Sequence, residues 1–283
     1  MNICVVGGDT RIVELIKLLK ENENTVIELY GLEKSEELRN YSHSNNVYEA
    51  IQNAEIIITS IPLSKDNKTI NATFTDKRVL LEDFFKNIKN KKIITGNITD
   101  EIRKYIKLEN NNEVIDILKY EELAILNAIP TAEGAIKIAM EKSQITIHNS
   151  KCLVLGFGRI GKMLAKKLHG IGANVFCEAR KQHDIAWIKS LGYTAIHLDE
   201  LDKNLGKFDF IFNTIPYIIL NKSNLQLIKK ECVLIDLASK PGGIDFEEAN
   251  RLNLKTDWAL ALPGKVAPKT SANYIYDVIS KLL

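Results

Sequence analysis

Three glycines at the start of a helical pattern carry the clearest chemical signal in the sequence. Gly156, Gly158 and Gly161 have the spacing G-x-G-x-x-G and directly follow the apolar run 151–155. In dinucleotide-binding folds, the first glycine closes the turn, the second lets the pyrophosphate approach the backbone, and the third lets the helix pack on the strand. A tight turn without a ligand can give the same pattern. We predict a dinucleotide site, with unpaired helix N–H groups facing the phosphates, at Gly156, Phe157, Gly158, Arg159, Ile160 and Gly161.

The end of the next strand pattern bears on which nucleotide binds. The carboxylate that holds the ribose of NAD would fall near position 179, where Ala179 stands, followed by Arg180 and Lys181. Without that carboxylate, the 2′-phosphate of NADP meets no repulsion, and Arg180 can bind it with a planar guanidinium. The sequence therefore predicts NADP. The alternative is that Glu178 holds the ribose after a shift of one residue, while Arg180 and Lys181 face solvent.

Three further clusters follow strand patterns in the second half of the chain. Residues 213–216 end a strand where a nicotinamide ribose usually lies, or they form only a proline-capped strand end. Residues 236–243 contain two glycines that permit close approach of a flat ring, and Lys240, which either holds an anion or projects into water. Residues 262–270 form a rigid basic loop with a role in binding, or their prolines and glycine only interrupt regular secondary structure. From these clusters, we assign to the cofactor Thr214, Pro216, Ala238 and Pro263.

The first half of the chain offers fewer candidate groups. Residues 7–11 (Gly-Gly-Asp-Thr-Arg) follow a strand pattern but lack the full glycine spacing, so they predict no second nucleotide. Arg11, at the start of a helical pattern, is either a carboxylate clamp or a surface arginine. Glu133 either faces a substrate or is a capping acid in the first turn of a helix. The remaining candidates follow strand patterns or lie on the long helical stretch: Ser60, Pro62, Asn97 and Thr131.

Strands that alternate with helical patterns must position these groups. Short, fully apolar runs such as residues 2–6 are typical of parallel strands that are covered on both faces. At 283 residues, the chain has the length of two domains of ordinary size. The two halves also resemble each other, because the strand end Thr59–Pro62 recurs as Asn213–Pro216.

We predict an α/β fold of two Rossmann-like, doubly wound parallel-sheet domains with an interdomain cleft. Residues 1–122 form a flavodoxin- or Rossmann-like substrate domain. Residues 123–144 form a linker helix whose regular part begins near Pro130. Residues 145–265 form the NADP-binding domain, and the C-terminal helix, 266–283, crosses back onto the first domain. Cofactor and substrate are expected on opposite walls of the cleft.

Composition excludes several classes of function. The net charge of +2, from 38 basic and 36 acidic residues, provides no field that would recruit nucleic acid or a membrane surface. No apolar run reaches the length of a membrane span, and the first residues form a strand pattern rather than a signal peptide. Zinc-protease, serine-hydrolase and phosphate-loop motifs are absent, and no metal-ligand pattern stands out. The four cysteines lie in or beside apolar runs, so buried reduced thiols and the cytoplasm are expected.

Motifs along the whole chain resemble the family formed by the A subunit of dipicolinate synthase from spore-forming bacteria. They are residues 7–11, 127–135, the glycine turn, 213–216, 236–243 and 262–270, in this order. The resemblance implies a fold similar to two-domain D-2-hydroxy acid and alanine dehydrogenases, and NADP-dependent oxidation of dihydrodipicolinate to pyridine-2,6-dicarboxylate during sporulation, in a branch of the diaminopimelate and lysine pathway. It implies the mother-cell cytoplasm and the flavoprotein-like B subunit of the synthase as partner, and it leaves a homo-oligomer open. Glu178 departs from the small or neutral residue usual in the family.

The candidate residues suit a reaction in which the main task of the protein is to position the substrate. A dihydropyridine that loses a hydride and a proton becomes aromatic, so no strong base is required, and none of the five histidines is coupled to a carboxylate as a general acid would be. The protein must hold two carboxylates so that a ring C–H lies against the nicotinamide. We expect Arg11 and either Lys240 or Lys265 to bind the carboxylates. Thr131 and Ser239, with Lys240, form the predicted catalytic set. Further substrate contacts are assigned to Ser60, Pro62, Asn97, Glu133 and Lys269.

Two other functions stay open. The chain could be another NADP-dependent dehydrogenase or reductase of a small carboxylate, which a panel of substrates would identify. It could also be a non-catalytic NADP-binding scaffold for a flavoprotein partner, which assays with and without that partner would identify.

Overall fold

Short apolar strands alternate with amphipathic helices along the chain and build two α/β units. The computed structural model describes residues 1–86, 88–106 and 110–283. Unit 1 comprises residues 1–126 and 267–283, and unit 2 comprises residues 127–266.

Unit 1 is built on a sheet of six parallel strands: β1 (Asn2–Val6), β2 (Val26–Tyr30), β3 (Ser42–His43), β4 (Ile56–Thr59), β5 (Lys92–Thr95) and β6 (Glu113–Asp116). Their spatial order is β3-β2-β1-β4-β5-β6. Successive side chains of a strand point to opposite faces, so Ile3 and Val5 enter one buried cluster while Cys4 and Val6 enter another. The helices that cover the sheet are α1 (Thr10–Lys20), α2 (Val47–Gln52), α3 (Leu81–Lys86), α4 (Asp100–Arg103) and the start of α5 (Glu121–Lys142).

Unit 2 contains a second sheet of six parallel strands: β7 (Lys151–Leu155), β8 (Asn174–Ala179), β9 (Thr194–His197), β10 (Phe210–Asn213), β11 (Val233–Asp236) and β12 (Lys255–Trp258). Their spatial order is β12-β11-β10-β7-β8-β9. Buried apolar clusters again lie on both faces. The helices of this unit, besides the rest of α5, are α6 (Arg159–Gly170), α7 (Gln182–Ser190), α8 (Lys222–Leu225), α9 (Phe246–Arg251) and α10 (Leu262–Val266).

Each sheet reverses its strand order once, between β1 and β4 in unit 1 and between β7 and β10 in unit 2. In open α/β sheets, ligands bind outside the carboxyl ends of the strands at such a reversal. The predicted α/β class, with two Rossmann-like, doubly wound parallel sheets, is confirmed.

Helix α5 is regular from an earlier residue than the sequence indicated. It runs from Glu121 to Lys142 with Pro130 inside it, so the prediction that its regular part begins near Pro130 is wrong. Proline lacks the N–H that would bond to the carbonyl four residues earlier, but burial holds the helix on both sides of it. Leu123 lies in a core cluster of unit 1, and a small-residue stripe that includes Ala132 and Ala135 lies in a core cluster of unit 2.

By length and composition, α5 could also cross a membrane. A core helix of a globular protein has the same composition, and the buried stripe of α5 accounts for its apolar character. The helix is therefore weak support for a membrane span.

The predicted basic loop at residues 262–270 is instead helical. Residues Leu262–Val266 form α10, and the last helix, α11 (Pro268–Ile279), begins two residues later. The loop prediction treated both prolines as helix breakers. Proline is compatible with the first turn of a helix because the N–H that it lacks has no intrahelical partner there.

Helix α11 packs against α1 within unit 1. Ala272, Ile275, Val278 and Ile279 are buried in the same cluster as Ile12 and Ile16, among other residues. The end of the chain therefore completes the core of the unit in which the chain begins.

All four cysteines are free and buried, Cys4 in unit 1 and Cys152, Cys177 and Cys232 in unit 2. Burial raises the pKa of the Cys152 and Cys177 thiols to about 12, and it also raises the pKa of Cys4 and Cys232. The prediction of buried, reduced thiols is confirmed.

Candidate functional site

The turn between β7 and α6 has a shape that only glycine permits at two positions. Gly156 has a φ of +88°, and a Cβ added there would lie 2.7 Å from Oγ1 of Thr214. A Cβ added at Gly161 would lie only 2.1 Å from the carbonyl oxygen of Gly156. Glycine is therefore needed for the turn to close and for α6 to pack on β7.

Gly158 has a different role in the same turn. It is the exposed N-cap of α6, with a φ of −82° that other residues also adopt. Among the residues that the structure describes, no atom lies within 4 Å of a Cβ added there. Neither strain nor crowding requires glycine at this position, and the open space at the helix N-terminus would admit a phosphate. Of the other turn residues, Phe157 is buried, with Nζ of Lys162 5.6 Å from its ring centroid.

The end of β8 directs a carboxylate to the glycine turn. Oε2 of Glu178 accepts a hydrogen bond from the N–H of Gly156 at 3.2 Å, and the residue is 1% exposed. Burial raises the pKa of the Glu178 carboxyl, against the opposing effects of that hydrogen bond and of nearby positive charge. Ala179 is buried, while Arg180 and Lys181 are exposed. A buried carboxylate and two exposed cations therefore stand in sequence at the end of β8.

A cavity of about 570 Å³ opens at this edge of unit 2. Its lining includes Glu178 and Arg180 after β8, and Ile215 and Tyr217 after β10. The volume lies within the range of small-ligand sites. A separate cavity of about 500 Å³ in unit 1 lies beside the amino-terminal part of β1 and β2, at the opposite end of the strands from the usual ligand position.

Thr214 ties the end of β10 to the glycine turn. Its hydroxyl donates to the carbonyl oxygen of Leu155 at 2.8 Å, and its N–H donates to the same oxygen. Pro216 is exposed two residues later. Both predicted cofactor residues therefore lie after the strand that pairs with β7.

A buried hydrogen-bond network fixes the loop after β11. Oδ1 of Asp236 accepts from Nδ2 of Asn213 at 2.8 Å and from the N–H of Ala238 at 3.0 Å. Oδ2 of Asp236 accepts from the N–H of Gly243 at 2.7 Å. Both oxygens are satisfied, and Asp236 is fully buried. Sequence reasoning named this cluster without seeing that its aspartate is a scaffold.

Residues 238–240 are presented by that network. Ala238 is buried, and its carbonyl oxygen accepts from Nε1 of Trp258 at 2.9 Å. Ser239 and Lys240 follow it and are exposed. Lys240 therefore projects from a rigid loop, where it can meet an anion as well as water.

The predicted residues of α5 already have partners within unit 2. The hydroxyl of Thr131 donates to the carbonyl oxygen of Asn127 at 2.7 Å. Glu133 forms an ion pair of 2.7 Å with Lys167 of α6. The alternative that Glu133 is a capping acid in the first turn is wrong, because the helix begins at Glu121.

Three predicted site residues lie on the helices that replace the basic loop. Pro263 and Lys265 belong to α10, and Lys269 belongs to the first turn of α11. Both lysines are exposed. Helical geometry, rather than a loop, sets the direction of their side chains.

Arg11 is buried in unit 1, at 8% exposure, so the surface-arginine alternative is wrong. Its Nη2 lies 2.7 Å from Oδ2 of Asp9 and also donates to the carbonyl oxygen of Ile61, and its Nε donates to Asp9 as well. Among the described residues, Nη1 has no hydrogen-bond acceptor. The guanidinium is thus held in one orientation and retains two N–H donors.

The chain itself closes the turn after β1. The N–H of Gly8 donates to the carbonyl oxygen of Asn71 at 2.9 Å, and the carbonyl oxygen of Gly8 accepts from the N–H and the hydroxyl of Thr73. A Cβ added at Gly8 would lie 2.5 Å from Cβ of Ile12. The backbone groups that a phosphate would use in this turn are bonded within the fold.

Asn71 is a polar residue that sequence reasoning missed. It is 9% exposed, and its Nδ2 is buried with no acceptor among the residues that the structure describes. Its N–H bonds to the carbonyl oxygen of Leu63. No local pattern marks this residue, because its position depends on a contact between distant segments.

The other predicted substrate residues of unit 1 follow β4 and β5. The hydroxyl of Ser60 donates to the carbonyl oxygen of Leu63 at 2.9 Å, and Pro62 is half-buried. Leu63 bonds through its N–H to Gly96, and the N–H of Asn97 donates to Asp116 at 2.9 Å. With the bond from Arg11 to Ile61, the structure brings these predicted residues together at the carboxyl ends of the strands.

Two histidines contact carboxylates in the structure. His183 and His197 each lie 3.3 Å from an aspartate one or two residues away in sequence, and Nε2 of His197 lies 3.1 Å from the carbonyl oxygen of Arg180. In the His197 pair, the aspartate is 86% exposed. These are local surface contacts rather than buried general-acid couples.

Two family models match the chain. The model that describes the N-terminal domain of the A subunit of dipicolinate synthase matches residues 2–118. The model described as "D-isomer specific 2-hydroxyacid dehydrogenase, NAD binding domain" matches residues 130–242, which include the glycine turn and Glu178.

Relatives are similar over the whole length of the chain. The A subunit of dipicolinate synthase from Bacillus subtilis (strain 168) is 32% identical over 285 residues, which cover 100% of this chain and 96% of the relative. The crystal structure of the same protein from Bacillus halodurans has a TM-score of 0.89 at 28% identity, covering 99% of this chain and 97% of that one. The crystal structure of the protein from Bacillus subtilis has a TM-score of 0.87 at 31% identity, covering 100% and 95%.

Proposed function

Because this chain belongs to the family of dipicolinate synthase A subunits, we propose that it oxidises dihydrodipicolinate to dipicolinate (pyridine-2,6-dicarboxylate) by hydride transfer to NADP. Its dehydrogenase-type domain makes it an oxidoreductase that uses a nicotinamide cofactor. The observation that most supports the cofactor site is the glycine turn, where Gly158 leaves open space at the start of α6 and Gly161 has no room for a side chain.

We assign the cofactor to the carboxyl ends of the strands of unit 2. The pyrophosphate would meet the turn residues 156–161, and Arg180 with Lys181 would bind the 2′-phosphate. Thr214, Pro216, Ala238 and Pro263 complete the assignment. NADP, when bound, accepts the hydride, so the residues of this chain need only bind and orient it.

The substrate assignment rests on cationic groups. Dihydrodipicolinate loses a hydride and a proton, and its ring becomes aromatic, so orientation matters more than a strong base. Arg11 is assigned to one carboxylate, because Asp9 holds its guanidinium while Nη1 stays available. Lys240 or Lys265 is assigned to the other. Ring orientation and the remaining contacts are assigned to Thr131, Ser239, Ser60, Pro62, Asn97, Glu133 and Lys269.

We also propose the cellular setting that the family suggests. The partner is the flavoprotein-like B subunit of the synthase, and the compartment is the mother-cell cytoplasm during sporulation. A homo-oligomer stays open as a further state of the chain.

A coupled assay tests the reaction. Aspartate semialdehyde and pyruvate, with a condensing enzyme, supply dihydrodipicolinate to the purified chain and NADP, with and without the flavoprotein partner. We expect dipicolinate and NADPH to form in equal amounts. Reduction of NADP by a 2-hydroxy acid instead would identify the alternative dehydrogenase, and NADP binding without any turnover, even with the partner present, would identify the scaffold.

Arg11→Ala tests the carboxylate assignment. Loss of a charge-assisted contact should weaken apparent substrate affinity by about 1.5–3 kcal/mol, or about 10- to 150-fold. NADPH affinity should not change, since Arg11 belongs to unit 1. Arg39→Ala, at an exposed arginine of the same unit, is the control. Unchanged turnover and substrate affinity in both Arg11→Ala and Lys240→Ala would contradict the assignment.

A further inference from the structure

The side chain of Asn71 carries a buried donor that the fold does not use. The residue is 9% exposed, and its Nδ2 has no acceptor among the residues that the structure describes. A buried N–H group without an acceptor is costly, and native structures retain few of them. A ligand atom that accepts a hydrogen bond from Nδ2 would remove this cost.

Backbone hydrogen bonds fix the position of Asn71 within unit 1. Its N–H donates to the carbonyl oxygen of Leu63, after β4, at 2.8 Å, and its carbonyl oxygen accepts from the N–H of Gly8, after β1, at 2.9 Å. Asn71 therefore lies between the segments that follow β1 and β4. These are the two strands at which the strand order reverses, and ligands of open α/β sheets bind outside the carboxyl ends of such strands.

Arg11 lies between the same two segments. Its guanidinium contacts Asp9, after β1, and the carbonyl oxygen of Ile61, after β4. Its Nη1 has no hydrogen-bond acceptor among the described residues, whereas the backbone N–H of Gly8 is already bonded. At this strand end, the side chains of Arg11 and Asn71 therefore both offer donors to a ligand.

The two donors suit a carboxylate. Its two oxygens can each accept more than one hydrogen bond. Asp9 lies 2.7 Å from the guanidinium of Arg11 and balances its charge, so a bound carboxylate depends on direct hydrogen bonds more than on the net charge of the site. A second donor from Asn71 would both strengthen binding and fix the direction in which the carboxylate points.

We propose that Asn71 is a substrate-binding residue, whose Nδ2 donates to the carboxylate that Arg11 binds. The inference rests on the function proposed above and adds a second donor for that carboxylate. Because the donors come from separate segments of the chain, the two contacts orient one end of a flat dicarboxylate ring as well as hold it.

Binding of the product tests this inference without turnover. Dissociation constants of dipicolinate are measured by calorimetry on the full chain in the presence of saturating NADPH. Asn71→Ala removes the donor, and Asn71→Asp replaces it with an acceptor in a side chain of the same shape. The control is Asn45→Ala, at an exposed asparagine of the same unit.

Asn71→Ala should weaken dipicolinate binding by about tenfold or more. Asn71→Asp should weaken it further, because a carboxylate at this position repels the ligand, whereas a purely structural role would favour the variant that keeps the shape. Asn45→Ala should bind dipicolinate as the wild type does. NADPH affinity should not change in any of these variants, and the midpoint of thermal unfolding of Asn71→Ala should fall by no more than about 3 °C.

The double variant Arg11→Ala with Asn71→Ala shows whether both donors bind the same carboxylate. If they do, its loss of dipicolinate affinity should differ by about threefold or more from the product of the two single losses. A loss equal to that product would contradict a shared carboxylate.

Wild-type affinity for dipicolinate in Asn71→Ala overturns the inference and leaves the proposed function standing. If the wild type itself binds no dipicolinate, the proposed substrate is wrong, and the inference fails with it. A crystal structure of the wild type with NADPH and dipicolinate requires no variant. Nδ2 of Asn71 should lie within about 3.2 Å of a carboxylate oxygen, and a ligand bound out of its reach overturns the inference even if the variants do not fold.

Discussion

Two buried carboxylates at strand ends of unit 2 differ in how their oxygens are used. Asp236 has donors for both oxygens, all from the protein itself. Glu178 has one donor, and its second oxygen has none among the described residues. The first carboxylate therefore shapes a loop, and the second is the one available to a ligand.

Replacing Asp236 with asparagine tests its role as a scaffold. In asparagine, an amide nitrogen takes the place of Oδ1 or Oδ2. That nitrogen cannot accept a hydrogen bond, so an N–H group that now bonds to Asp236 would be buried without an acceptor. We expect the free energy of unfolding to fall by about 2–3 kcal/mol, measured by urea denaturation, together with weaker NADPH binding. Asp199→Asn is the control, because that side chain is 86% exposed, and it should change stability by no more than about 0.5 kcal/mol. Wild-type stability in Asp236→Asn would contradict the scaffold.

Two glycine substitutions separate the folding role of the turn from its binding role. Gly161→Ala should lower both stability and NADPH affinity, since its Cβ would lie 2.1 Å from a backbone oxygen. Gly158→Ala should lower stability by no more than about 1 kcal/mol, the cost of alanine at an N-cap, because its Cβ meets no described atom within 4 Å, but it should weaken NADPH binding by about tenfold or more. Thermal unfolding and fluorescence titration measure the two effects.

Gly170→Ala, in the same helix and also with open space around its Cβ, controls for a change in helix propensity. If Gly158→Ala binds NADPH as tightly as Gly170→Ala does, the phosphate does not approach the turn at that position.

For single residues, the sequence indicated which side chains could bind a ligand, but it did not indicate their hydrogen-bond and ion-pair partners. The glycine spacing and the cations after β8 are local patterns, and they were visible. The bond from Glu178 to Gly156, the pairing of Arg11 with Ile61 and the pairing of Glu133 with Lys167 join residues that are 22 to 50 positions apart. Such contacts depend on the packed fold, which is also why Asn71 gave no signal.

At the scale of elements, proline explains the differences between expectation and structure. Proline inside α5 and proline near the starts of α10 and α11 were treated as boundaries. Burial of the apolar stripe outweighs the missing hydrogen bond in α5, and the first turn of a helix tolerates proline at little cost. Strand cores were predicted well because parallel strands are apolar on both faces.

Helix α11 completes the core of unit 1, and Ile275 tests its packing. Ile275 is fully buried in the cluster that includes residues of α1. Ile275→Ala should lower the free energy of unfolding by about 2–4 kcal/mol through lost burial and a cavity. Ile125→Ala, at a helical isoleucine of unit 1 that is 45% exposed, should cost less than about 1 kcal/mol. Equal effects of the two variants in denaturant titrations would show that α11 adds little to the core.

At the scale of the whole molecule, the two units share one strand order but differ in the turn that follows the first strand of each sheet. In each sheet, the spatial order of the strands reverses beside the strand that precedes a glycine turn. In unit 2 the turn is open at Gly158, whereas in unit 1 the segment at residues 71–73 is bonded to Gly8. The sequence indicated this duplication through repeated strand ends, and it indicated the difference through the incomplete glycine spacing at residues 7–11.

The difference between the turns predicts the stoichiometry of cofactor binding. Calorimetric titration should give a single NADPH molecule per chain, because the turn of unit 1 has no free backbone donor at Gly8. Gly161→Ala should weaken that one binding event without revealing another. Two equivalents of NADPH per chain would contradict the assignment of the cofactor to unit 2 alone.

The distribution of the cysteines has a practical consequence. An alkylating reagent can reach these thiols only when the polypeptide around them opens, because every one of them is buried. Cys4 reports on unit 1, and the other three report on unit 2. Mass spectrometry of peptides after timed labelling would therefore follow the opening of each half separately, with native residues as the only probes.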